Sequence, residues 1–149
     1  MVVTEVGVAR EPGQHRGDRR AETRAWVIPF TPASVRRART LVTVLLRHNG
    51  VAQRIIDDTR VVVSELLGNA LRYARPISGG GLRLTLHIDD ETVRVEVSDG
   101  GSATLPTLLH RHGLSVGGRG LVIVRTLTRE WGVREGAAGN TVFGVLGRA

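Results

Sequence analysis

Glu65 and Asn69 stand four residues apart in "SELLGNALRYA" (64–74). If that stretch is helical, the two share one face. A carboxylate and a carboxamide one turn apart can hold a hydrated Mg²⁺, or can position a water or hydroxyl for proton removal. A solvated polar pair on a surface helix is the plainer alternative. Asp99 opens a glycine pair in "VSDGGSA" (97–103). A carboxylate at a strand end beside permissive backbone can accept a hydrogen bond from an amino group; an ordinary Asp-Gly turn is the alternative. In "VGGRGL" (116–121) glycines lead into an apolar run. Such a loop exposes N–H groups and the positive end of a helix dipole, which suits a phosphate, or is a plain glycine loop.

These residues need elements to hold them. Apolar positions Ile55, Ile56, Thr59, Val62, Val63, Leu66, Leu67 and Ala70 recur with helical spacing. The phase survives Gly68-Asn69, although both residues weaken helices. The pattern predicts one helix from Val51 or Gln53 to Tyr73 or Ala74, ended by Pro76. Before it, Thr31 and Pro32 start a helix that Asn49-Gly50 stops, with Val35, Ala38, Val42, Leu45 and Leu46 on one face. "AWVIPF" (25–30) reads as a short strand, placed at an edge by Pro29. Alternation in "GLRLTLHID" (81–89) and "ETVRVEVSD" (91–99) predicts a hairpin turning at Asp89-Asp90. "RGLVIVRTLTRE" (119–130) reads as a short helix, and "WGVREG" and "NTVFGVLGRA" as strands joined at "AAG". Residues 1–24 lack periodicity and read as a flexible tail before a domain at 25–149. The order β-α-α-β-β-loop-α-β-β predicts an α+β fold: a two-layer α/β sandwich, its sheet mixed but mostly antiparallel, with helices on one face.

Composition bounds the function. The 149 residues suit one domain with a real core. There is no Cys, hence no disulfide or thiolate metal site. All 21 cationic side chains counted in the net charge of +7 are Arg. Without Lys there is no Walker A motif. The Arg residues are dispersed and aromatics are scarce, so a solvated basic surface explains the charge more simply than nucleic-acid binding. No apolar run reaches the roughly 18 residues of a membrane span, and the start lacks the layout of a secretory signal. A cytoplasmic protein is the expectation. There is no internal repeat.

Taken in order, "VVVSELLGNALRYA", "VEVSDGGSATLP", "GGRGLVIVRTLTREWGV" and "GNTVF" resemble the N box and glycine boxes of the GHKL superfamily, the histidine-kinase-like ATPases. The resemblance covers about residues 25–147. Within that superfamily the chain is similar to the small, free-standing anti-sigma factor serine/threonine kinases. The resemblance implies ATP and Mg²⁺ as cofactors, with Asn69 as the metal ligand bridging to the phosphates. It implies Glu65 as general base toward a Ser or Thr hydroxyl or water. Asp99 would bind the adenine amino group, and Gly101 would admit the base. Gly118, Arg119, Gly120 and Leu121 would contact phosphates at a helix start, and Thr141 would support the base or phosphate region. Residues 102–117 would form a lid. The implied partners are an anti-sigma factor antagonist, which would be phosphorylated, and a sigma factor, which would be sequestered. Sigma-binding relatives usually dimerise, which leaves a homodimer open.

The chain departs from the family pattern at Ala103, where the second glycine of the first box would stand. It departs also at Tyr73, in place of a basic residue, and at Asn140, in place of Lys. ATP binding is therefore a firmer expectation than phosphotransfer. A nucleotide-gated binding module with little or no kinase activity is the alternative, and a basic nucleic-acid binder the third reading.

Overall fold

A computed structural model describes residues 3–11, 21–102 and 120–149. The expected lid residues from Ala103 onward, Gly118 and Arg119 lie outside these.

Strands β1 (Thr4–Glu11) and β2 (Ala21–Ile28) lead into helices α1 (Ala33–His48) and α2 (Gln53–Tyr73). The hairpin β3 (Leu82–Ile88) and β4 (Thr92–Ser98) follows, then helix α3 (Gly120–Leu127) and the hairpin β5 (Glu130–Gly136) and β6 (Gly139–Gly147). The six strands form one sheet in the order β1-β2-β3-β4-β6-β5. Every ladder is antiparallel. The expected α+β two-layer sandwich is present, though the described sheet is wholly antiparallel rather than mixed.

Alternation in the central strands sends Leu82, Leu84, Leu86 and Ile88 of β3 and Val93, Val95 and Val97 of β4 under the helices, all buried. From above, α2 buries each of its eight expected apolar positions. Burial of this kind contributes about 25 cal/mol per Å² of apolar surface. It offsets the roughly 1 kcal/mol that Gly68 costs a helix interior. The helix accordingly runs unbroken through Gly68-Asn69 and ends at Tyr73, with Ala74 already extended. Asn49 ends α1, and Gly50 turns the chain at φ +68°.

Three expectations need correction. Residues 4–11, assigned to a flexible tail, form β1, whose Glu5, Val6 and Gly7 are exposed. This strand is held by its ladder to β2, with a bulge between Glu5 and Gly7, and over residues 4–7 it shows none of the burial alternation that a sequence displays. In consequence β2 is no edge strand: it is paired on both sides. Pro29 falls just past its end, where no ladder N–H is lost. Thr31 does not cap α1 through its side chain. Ser34 Oγ donates instead to Pro29 O at 2.6 Å, tying the strand exit to the helix start.

Candidate nucleotide-binding site

Asp99 continues the inward series of β4 one step past its last regular residue and is only 3% exposed. Its Oδ1 accepts the N–H groups of Gly101 at 2.7 Å and Asn140 at 3.3 Å. Its Oδ2 is buried and has no hydrogen-bond partner among the described residues. Burial pushes the carboxyl above its ordinary range, and the two N–H groups counter this only in part. An acceptor oriented through one oxygen and orphaned at the other can take a donor from outside the chain, a ligand or a water.

The backbone around Asp99 is drawn in tightly. Gly100 N donates to Arg75 O at 2.7 Å, Arg75 N to Gly101 O at 3.1 Å, and Asp99 N to Asn140 O at 2.9 Å. A Cβ on Gly100 would lie 1.9 Å from Pro76 O, and one on Gly139 equally close to Asp99 O. Glycine is thus required at the seam joining the end of α2, the end of β4 and the start of β6. Gly101, at φ +100°, makes the turn itself.

Asn69 sits at the buried edge of α2, 5% exposed, and its Nδ2 has no hydrogen-bond partner among the described residues. Half-buried Glu65 lies one turn earlier. The first residue of α3 comes directly against them: a Cβ on Gly120 would lie 2.5 Å from Glu65 Oε2 and 3.7 Å from Asn69 Oδ1. The carboxylate therefore rests where the α3 dipole favours negative charge. Glu65 also lines an open cleft of about 430 Å³ with Arg39, Asp57, Arg60, Val61 and Ser64. There Arg39 Nη1 donates to Ser64 Oγ at 3.2 Å.

The structure thus brings Glu65, Asn69 and Gly120 together, and joins Asp99 to Gly101. It does not bring Thr141 to them. Thr141 faces the opposite side of the sheet, where its hydroxyl pairs with Ser98 Oγ at 2.8 Å. The inward residues of β6 are Asn140, Val142, Gly144 and Leu146. Asn140, treated from sequence only as a departure, is the residue turned toward Asp99. Continuing the period of two back from Val142 would have found it. Leu121 is buried, so only its main chain can serve a ligand. Arg39 and Arg60 carried no motif signal, and Gly100 and Gly139, though inside quoted boxes, were given no role; the close approaches that require them join distant segments.

These features fit ATP. The orphaned Asp99 oxygen suits an adenine amino donor, and the buried Asn69 carboxamide lacks a partner that a metal–phosphate group would give it. Among the described residues no cluster of three or more His, Cys, Asp or Glu could hold a metal. A Mg²⁺ beside Asn69 would depend mainly on phosphate and water oxygens, the usual habit of that ion with nucleotides.

A one-sided helical layer covers an antiparallel sheet, with an orphaned acid at a strand end and a helix start facing a Glu/Asn pair. The chain belongs to the histidine kinase-like ATPase domain family, whose model matches residues 28–143. No curated protein matches it significantly. Among solved structures it is similar to the RsbU and RsbW domains of Rv1364c from Mycobacterium tuberculosis, with a TM-score of 0.64 at 21% identity. The match covers 83% of this chain and 32% of that one, so it spans about a third of the solved chain's length. No described helix is long and apolar enough to cross a membrane.

Proposed function

We propose that this chain is an ATP-binding anti-sigma regulatory factor. It transfers the γ-phosphoryl group of Mg²⁺-ATP to a Ser or Thr hydroxyl of an anti-sigma factor antagonist, and in the alternate complex it sequesters a sigma factor. One observation carries the reading. Glu65 stands between the start of α3, beside Asn69, and an open cleft bearing Arg39 and Arg60. A nucleotide on one side and a protein hydroxyl on the other would meet at that carboxylate. Glu65 would take the hydroxyl proton as the oxygen–phosphorus bond forms and the bond to ADP breaks. Asp99 would hold the base, and Asn69 would hold Mg²⁺, whose charge would offset that of the phosphates. The order of the four boxes, similar to the anti-sigma kinase branch, supports the partner class. So does the fold shared with a chain that includes an RsbW domain.

Incubation with Mg²⁺-[γ-³²P]ATP and a candidate antagonist tests this. Label should appear on a Ser or Thr of the partner and vanish with Glu65→Gln. Tight nucleotide binding without label on any antagonist would favour the alternative, a nucleotide-gated binding module.

A further inference from the structure

We infer that Gly120 is a positioning residue for Glu65: its missing side chain is what lets the carboxylate rest against the first turn of α3. The inference rests on the reading of Glu65 as general base. Glycine at a helix start has two common reasons, and the first fails here. The described glycines with positive φ are Gly50, Gly79, Gly80, Gly81, Gly101 and Gly139. Gly120 is not among them, so its backbone conformation does not demand glycine. The second reason, close approach, holds. A Cβ would meet Glu65 Oε2 at 2.5 Å, while Glu65 Cδ at 3.6 Å and Asn69 Oδ1 at 3.7 Å would be in ordinary contact. Only the tip of one side chain is in the way.

That distinguishes Gly120 from Gly100 and Gly139, where a Cβ would strike main-chain oxygens. At those positions the fold must yield. At position 120 a flexible carboxylate yields instead, swinging off the seat between the cleft and α3. Gly120→Ala should therefore be mild for folding and severe for proton transfer, leaving Asn69 and Asp99 in place.

The test has two arms. Thermal unfolding without nucleotide compares Gly120→Ala in the wild type and in Glu65→Ala. With the carboxylate gone, the Cβ meets Asn69 Oδ1 only at ordinary contact distance, so alanine should leave Tm nearly unchanged. In the wild type the contact with Glu65 should lower Tm. Equal shifts in both backgrounds would show that the two residues are uncoupled and would overturn the inference, whatever the enzyme does. The second arm measures Mg²⁺-ATP affinity and the phosphotransfer rate. Gly120→Ala should keep Kd within about threefold and lower kcat by about 100-fold or more, the scale of a displaced general base. Adding Glu65→Asp, whose shorter side chain clears the Cβ, should restore part of that loss. A fall in affinity matching the fall in rate would make Gly120 a phosphate contact instead. An unchanged rate would also overturn the inference. If Glu65→Gln itself retains full transfer, the general-base reading fails, and the thermal arm still decides the contact.

Discussion

Asp99 holds one oxygen by two backbone N–H groups and leaves the other sealed and unanswered. Holding that charge inside costs free energy in the empty protein. Its folded pKa lies above the ordinary carboxylate value because of burial. The linkage sign follows: protonation relieves the cost, so this group's penalty is absent below the unfolded pKa and complete above the folded one. Asp99→Asn should thus match or exceed the nucleotide-free wild type in Tm at neutral pH, its relative advantage shrinking as pH falls through the carboxylate range. Tm measured from pH 7 down to pH 3.5 checks this, and the same variant should lose the stabilisation by Mg²⁺-ATP. Asn69→Ala removes an orphaned amide from a helix interior. It should leave the empty protein as stable or more so, while abolishing the nucleotide-induced rise in Tm. At this scale the sequence was informative where side chains follow a helical period. At position 141 the period of two in β6, carried back from Val142, turns Asn140 toward the helices and Thr141, which the resemblance singled out, to the opposite face.

The elements differ in how visibly they were written. In α2, legible over its whole length, burial repeats every third or fourth residue for five turns. In β1 the stabilisation comes from hydrogen bonds to β2, which any sequence can make, and so nothing in the pattern announced it. The same contrast sorts the glycines. A Cβ on Gly68 would meet nothing within 4 Å, so Gly68→Ala should stabilise by up to about 1 kcal/mol, a rise of roughly 3 °C. Gly139→Ala would press Asp99 O from a residue at φ +147°. It should cost at least about 2 kcal/mol, read as a lower urea midpoint. Both glycines lie within family boxes, yet only the packing of α2, β4 and β6 tells them apart.

For the molecule as a whole, the core lies between the helices and the inner face of β2, β3, β4 and β6. Val3, just ahead of β1, packs against it partly buried, and Thr4 to Gly7 are exposed. A chain starting at residue 21 should therefore unfold cooperatively, and Mg²⁺-ATP should shift its Tm as it does for the full chain. Ligand at about 100 times Kd adds roughly 2.7 kcal/mol to either form. Loss of the shift on truncation would mean that the first strand supports the site. Fold class and family were legible because four separate boxes and the element order agree. The seam that holds Asp99 was not, since it joins residues 75, 99 and 139 through main-chain contacts that no local window contains.

The strand order has one more consequence. Asp99 directly follows β4, which is flanked by β3 and β6 in the interior of the sheet, whereas α3 is an eight-residue helix. The two ends of the site should then differ in deuterium uptake. Amides of β4 should exchange only through near-global opening, while those at the start of α3 should exchange through small local excursions. Adding adenosine should barely change that contrast. ATP with Mg²⁺ should slow exchange at Gly120 and Leu121 first, marking the base end as prebuilt and the phosphate end as assembled on arrival.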